Sequence, residues 1–246
     1  MPDYGWLEQE KLPHALPLAA PSYPPPPWPL PGARFLRVTF ETEREALLRW
    51  LPPSLMRPVP PYAQILVAHY PESPVGPFSL AVQSLGARAR LLVRSYSFEA
   101  VTDSQQALLA LREQWGFPCR LGEVELRAAQ GEAEARIRVA GRTVAAIALR
   151  EGRVIEPETV RFDPILNLRM LSSLQEGQPP PYVAMAQIDP AYTIHEAWRG
   201  RAEVSYPEPS EGAPWHLVPF RGPIIAVHAV ADTELPYARF IVPFQT

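Results

Sequence analysis

Short stretches in which apolar and polar residues alternate, broken by proline and glycine, recur along this chain. "RFLRVTF", residues 34–40, alternates in this way and is rich in β-branched and aromatic residues, which predicts a half-buried strand. "YAQILVAHY", "FSLAVQSLGA" and "ARLLVRSYSF" follow as strand candidates, separated by Pro and Gly turn signals. "EVELRAA", "EARIRVA" and "TVAAIALRE", joined by "QGE" and "GR", predict tight antiparallel hairpins. "ILNLRMLSS", "YVAMAQID", "YTIHEAWRGRAEVSY" and "PIIAVHAVADTEL" continue the strand-like pattern between Pro-rich joints.

Two stretches break the two-residue period. Thr42 opens "TEREALLRW" with Glu45 three residues on, the spacing of a capping box, and Pro52-Pro53 ends the segment. Asp103 stands as N-cap before "SQQALLALREQW", in which Leu108, Leu109, Leu111, Arg112 and Trp115 share one helical face. Gly116 then fits the left-handed position past the helix end, which makes "GFPCRLG" the loop that leaves it. The pattern predicts a mainly β, β-rich α+β protein. It would be an antiparallel barrel or sandwich with two or three short helices.

Composition narrows the function classes. With 47% hydrophobic and 20% charged residues the 246-residue chain can bury a sizeable core. A formal net charge of -3 with no block of like charge argues against nucleic acid as a partner. No apolar run is long enough to span a bilayer as a helix, and the N-terminus lacks signal-peptide character, so the expectation is a cytoplasmic protein with no membrane partner. Ten of the 32 prolines fall in the first 31 residues. Residues 1–31 are therefore expected to be a proline-rich arm on a neighbouring surface or subunit, and 32–246 a single domain. Of the 23 Lys plus Arg residues only one is lysine, Lys11.

Common cofactor and catalytic signatures are absent: there is no GxGxxG, Walker loop, GxSxG or CxxC, and "HEAWR" places Arg199 where a zincin helix needs histidine. No cofactor is expected. His69, His195 and His228 lie in strand-like segments and could meet around a metal, but ordinary hydrogen bonding is the commoner use and no metal site is assigned.

Three segments carry a resemblance. "TIHEAWRGRAEVSY" (193–206), "ADTELPYARF" (231–240) and "REQWGFPCRLG" (112–122) resemble elements of the acetoacetate decarboxylase family, in the last case with Arg112, Glu113, Pro118 and Gly122 in register. The resemblance covers nearly all of the chain except the arm. It implies a β-barrel, usually oligomeric, whose pocket lysine condenses with a β-keto acid so that the protonated imine accepts electrons as CO2 leaves. The family is a known example of a lysine activated by a neighbouring cation. Carried onto this chain, the lysine position is Cys119 and its cationic neighbour Arg120. Two pocket glutamates correspond to Gln64 and to Leu80 in "GPFSL", and an arginine to Ala33.

A thiol cannot form an imine. The leading expectation is a decarboxylase-like protein that lacks Schiff-base chemistry and binds a small organic molecule or carboxylate, as a homo-oligomer. Its expected pocket comprises Gln64, Leu80, Arg112, Glu113, His195 and Glu196, beside Cys119 and Arg120 in the catalytic positions. Two alternatives stand beside it. One is a lyase or hydrolase that reuses the pocket through a Cys119 nucleophile or Arg120; the other is a structural or partner-binding module. For Cys119, a thiolate favoured by Arg120 competes with a small buried filler. Arg112 and Arg120 could grip a carboxylate or simply pair with nearby acids. His195 and Glu196, adjacent on a strand, should point to opposite faces. Asp232 reads as a turn or capping residue.

Overall fold

The structure, a computed structural model, describes residues 4–129 and 131–243, the side chains of 240–243 excepted. Both outer ends of the expected arm and domain, 1–3 and 244–246, and Gln130 of the "QGE" turn lie outside the described residues.

Thirteen strands form one sheet. In chain order they are β1 (Trp28–Glu41), β2 (Tyr62–Tyr70), β3 (Phe78–Ala89), β4 (Leu92–Thr102), β5 (Cys119–Leu121), β6 (Glu123–Ala129) and β7 (Glu132–Val139). They continue with β8 (Arg142–Val154), β9 (Ile165–Leu171), β10 (Tyr182–Ile188), β11 (Ala191–Ser205), β12 (Gly222–Leu235) and β13 (Arg239–Pro243). Helices α1 (Arg44–Trp50) and α2 (Gln105–Glu113) complete the main elements. The mainly β class is as the sequence predicts. Hydrogen bonding does not close the sheet into a barrel: the order is β13-β10-β9-β4-β3-β2-β1-β12-β11-β8-β7-β6, with no pairing between its ends among the described residues. It curls instead, bringing β6 against β2, β3 and β4. All pairings between these strands are antiparallel except β4 with β5 and β4 with β9.

Curling buries both faces of the central strands. From β1, Leu36, Val38 and Phe40 enter one core together with β6–β8 and Trp215. On the opposite face Phe35 joins a second core with Trp28, Leu80, Trp115, Phe117 and Cys119. Arg37 and Thr39, one and two alternate steps beyond Phe35, face the same way. The alternation of "RFLRVTF" therefore marks two buried environments, one of them partly polar, and the half-buried strand expected from the sequence is corrected on this point.

Local details differ in the same instructive way. The Thr42 capping box does not form: the N-cap of α1 is Glu43 without a side-chain cap, and Thr42 Oγ1 donates to the Pro219 carbonyl at 2.8 Å. Helix α2 is capped by Ser104, whose Oγ accepts from the Ala107 N–H at 3.3 Å, while Asp103 accepts from the Ser79 N–H at 2.7 Å. A distant part of the chain claims each side chain nominated from sequence. The β7–β8 turn is Ala140-Gly141, both at positive φ (50° and 77°), between the paired Val139 and Arg142. This is the two-residue hairpin geometry that matches strand twist. No helix among the described residues is long and apolar enough to cross a membrane.

The N-terminal segment is fastened to α2. Trp28 and Trp115 are fully buried with rings edge-to-face at 4.9 Å, a geometry worth about 0.5–1.5 kcal/mol beyond burial. Trp115 Nε1 donates to the Pro236 carbonyl at 2.7 Å, and the Tyr23 hydroxyl donates to Glu113 at 3.0 Å.

Ser104→Ala is expected to lower unfolding free energy by about 1 kcal/mol through loss of the cap, whereas Glu45→Gln should stay within roughly 0.5 kcal/mol. Urea denaturation of the two variants checks the assignment of the caps.

Candidate functional site

Two concavities lie back to back, and Phe117 lines both. Gly116 makes this possible: at φ 70° it turns the chain out of α2, and a Cβ there would stand 3.1 Å from the Arg169 backbone. The chain then drops into β5, so "GFPCRLG" is a turn plus a short strand and not a loop throughout: Cys119 pairs in parallel with Ala100, and Arg120 with Val101.

The outer cleft, about 620 Å³, holds Cys119, Arg120 and Arg112, facing Trp50, Phe98 and Glu99. Cys119 is 4% exposed. Burial pushes its thiol pKa up to about 12; Arg112 and Arg120 pull the other way and Glu99 adds to the rise. Desolvation outweighs the cations, so the thiol stays protonated. Arg120 is already engaged: Nη2 stands 2.9 Å from Glu99 Oε2, and Nη1 donates to the Gly212 carbonyl. Glu99 itself is held above the ordinary carboxylate range by burial, with Arg120 opposing.

The inner cavity opens between β1–β4 and the chain entering β9 and β11. Its open interior is about 40 Å³. At roughly 10–15 Å³ per water, that is room for about three waters, or a ligand of a few heavy atoms. Leu66, Leu80, Val82, Ile165 and Phe117 form an apolar wall, and Gln64, Ser84, Ser95 and Thr233 a polar one. Gln64 Nε2 donates to Ser95 Oγ.

Arg37, from the covered face of β1, supplies the cavity's cation. Its guanidinium carbon lies 4.8 Å from the centroid of the Phe162 ring, which stacks on Tyr192 at 4.4 Å. Nη1 donates to the Arg161 carbonyl, while Nε is buried without a partner. Burial pulls the Arg37 pKa below the ordinary arginine value, with Asp163 opposing. Asp163 also lines the cavity, and its carboxyl is raised by burial with Arg37 and Arg94 opposing. Tyr70 and Tyr192 complete the lining; burial raises both phenols, so they remain protonated donors.

The residues expected in one pocket are thus distributed over four places. Gln64 and Leu80 line the inner cavity; Cys119, Arg120 and Arg112 line the outer cleft. Glu113, expected in the pocket, is exposed, accepts from Tyr23 and lines neither concavity. His195 and Glu196 line neither concavity. A register shift between Ile194 and Glu196 interrupts the alternation, and both side chains are exposed. His195 Nε2 sits 2.9 Å from Asp232, whose Oδ1 accepts from the Gly32 N–H at 2.8 Å; Asp232 lies within β12 and caps the irregularity of β1 between Leu30 and Ala33, so of the turn or capping roles read from sequence it has the capping one. His69 bonds Ser79, and buried His228 bonds the Phe35 carbonyl and stacks on Trp198 at 5.2 Å. The three histidines have separate partners, and no described cluster of His, Cys, Asp or Glu is placed to hold a metal. Ala33 is buried against Ala231.

Sequence reasoning missed Arg37, Phe162, Asp163 and Tyr192. A signal was present for Arg37, a cation between Leu36 and Val38 on a strand whose other face is fully apolar. The "FDP" of 162–164 carried none.

Comparison with known proteins places these features in context. The family model "Acetoacetate decarboxylase (ADC)" matches residues 15–242. A decarboxylase, DEC1, of Cochliobolus heterostrophus is 25% identical over 240 residues, covering 87% of this chain and 88% of the relative. An acetoacetate decarboxylase structure superposes with TM-score 0.88 at 18% identity, covering 98% of this chain and 100% of the other. The enduracididine biosynthesis enzyme MppR, complexed with pyruvate, superposes with TM-score 0.81 at 14% identity, covering 94% and 98%.

The thiol at 119 should react slowly with iodoacetamide at pH 8 in the folded protein and rapidly in denaturant. Because its folded pKa lies above the unfolded value of about 8.5, this group's contribution to stability is full below that pH and is lost as pH rises toward 12. Alkylation rate against pH, read by mass spectrometry, checks the direction.

Proposed function

We propose that this chain, which belongs to the acetoacetate decarboxylase family, holds a small carboxylate in its inner cavity without forming a Schiff base. The observation that carries the reading is the residue at position 119. By the sequence resemblance Cys119, a protonated thiol, takes the lysine's position, and the single lysine, Lys11, lies 69% exposed in an ion pair with Glu8 at 2.7 Å. Neither group can supply the imine that a decarboxylating pocket uses as electron sink.

The cavity favours an anion nonetheless. Arg37 is a cation in a desolvated, largely apolar setting with a buried N–H directed at no protein acceptor. A planar guanidinium in such a place matches a carboxylate by geometry and charge. The size of the cavity limits the ligand to a few heavy atoms, and Leu66, Leu80 and Val82 suit a short alkyl portion. Pyruvate, present in the MppR complex, is a short carboxylate with one methyl group and serves as the probe. With Leu80 and Gln64 where the resemblance would put glutamates, Asp163 is the cavity's one carboxylate among the lining residues, which lowers the repulsion an incoming anion meets. Arg120 is bonded through both Nη atoms, to Glu99 and to the Gly212 carbonyl, with Nε unpartnered, and the protonated Cys119 beside it is a weak nucleophile, which favours a structural role for the pair in the outer cleft.

Two measurements test this. Borohydride with acetoacetate or pyruvate should add no mass to the protein, and a reduced adduct on Lys11 would overturn the reading. Arg37→Met should weaken pyruvate binding by about 1.5–3 kcal/mol, roughly 10- to 100-fold in Kd by titration. Unchanged affinity would remove Arg37 as the anchor.

A further inference from the structure

Asp163 is the one carboxyl lining the inner cavity, and the binding of a carboxylate on Arg37 leaves it without a task. It forms no hydrogen bond or ion pair with any described residue. Asp163 is half-buried, so its oxygens face the open space of the cavity while burial penalises its charge. Across the same small space stand the unpartnered Nε of Arg37 and the phenols of Tyr70 and Tyr192, neither of which has a hydrogen-bond partner among the described residues. An acid, a cation and two neutral donors thus converge on room for a few heavy atoms.

We infer that Asp163 is a catalytic proton-transfer residue, which enolises a small 2-oxo acid held on Arg37 without an imine. This rests on the carboxylate reading of the cavity and adds a reaction to it. The Asp163 carboxylate oxygen takes a proton from the carbon next to the ketone. The electron pair of that C–H bond becomes the carbon–carbon π bond, and the ketone π pair moves onto oxygen, which Arg37 Nε or a tyrosine hydroxyl receives as donor. Return of a proton from the Asp163 carboxylic acid restores the ketone. If that proton has first exchanged with solvent, hydrogen is replaced by a solvent proton, and no oxidant, reductant or leaving group is involved. Desolvation, opposed by Arg37 and Arg94, moves the Asp163 carboxyl above its ordinary range, toward the value a base needs at neutral pH.

The full chain is incubated with pyruvate in D2O and loss of the methyl signal is followed by proton NMR, with binding measured in parallel by saturation transfer. Wild type should exchange about 100-fold faster than buffer. Asp163→Asn should bind pyruvate and exchange at the buffer rate, and Asp163→Glu should recover part of the rate. Wild-type binding with exchange no faster than buffer, or wild-type exchange in Asp163→Asn, would overturn the proton-transfer role alone. Failure of the wild type to bind pyruvate would overturn the carboxylate reading itself, and this inference with it. Asp163→Glu keeps the test valid should the asparagine variant not fold.

Discussion

The central strands of this protein are covered on both faces, and most of its chemistry follows from that. β1 is hydrogen-bonded to β2 on one side and β12 on the other, so its side chains have only the two faces to occupy, and each faces a core. The charged ends of the covered stretch, Arg34 and Glu41, reach solvent, but between Phe35 and Phe40 no side chain of β1 is exposed. Arg37 is therefore drawn into a desolvated setting, over the Phe162 ring and opposite Asp163, where electrostatic interactions are stronger than in water. The cavity is the space that remains where the second core cannot close over these polar groups.

Fold and site were legible in the sequence to different degrees, for physical reasons. Strand positions follow from local alternation and turn residues, and segments such as "YAQILVAHY" coincide with their strands. Which face is wet does not follow, because alternation records a difference between faces and not its cause. Arg37 and Thr39 read as solvent-facing until the curl of the sheet is known. Caps failed for a related reason: Thr42 and Asp103 have the right spacing, but distant backbone groups at Pro219 and Ser79 compete for them. The motif around residue 119 can be aligned from sequence alone. That Phe117 separates this residue from Gln64 and Leu80 cannot, since it depends on the packing of β5 beside β4.

Family membership and the departures from it fit one picture. The "HEAW" segment lies in β11, where a register shift turns His195 and Glu196 outward and Asp232 ties His195 to the Gly32 turn. The Arg-Glu pair at the end of α2 divides between the outer cleft, through Arg112, and the N-terminal segment, through Glu113 and Tyr23. These segments resemble the family because they build its frame. The cavity's charged residues come from outside these segments, Arg37 from β1 and Asp163 from the approach to β9, while its neutral polar wall is shared among β2, β3, β4 and β12.

The shared wall at Phe117 has one further consequence. A single aromatic ring partitions the molecule into an outer compartment containing Cys119, Arg120 and Glu99 and an inner one containing Arg37, Gln64 and Asp163. Cys119 does not line the inner chamber, although it shares a core cluster with Phe117 and Leu80, which do. The side chain at one end of β5 and the polar groups around Arg37 thus belong to different chambers, each with its own set of neighbours.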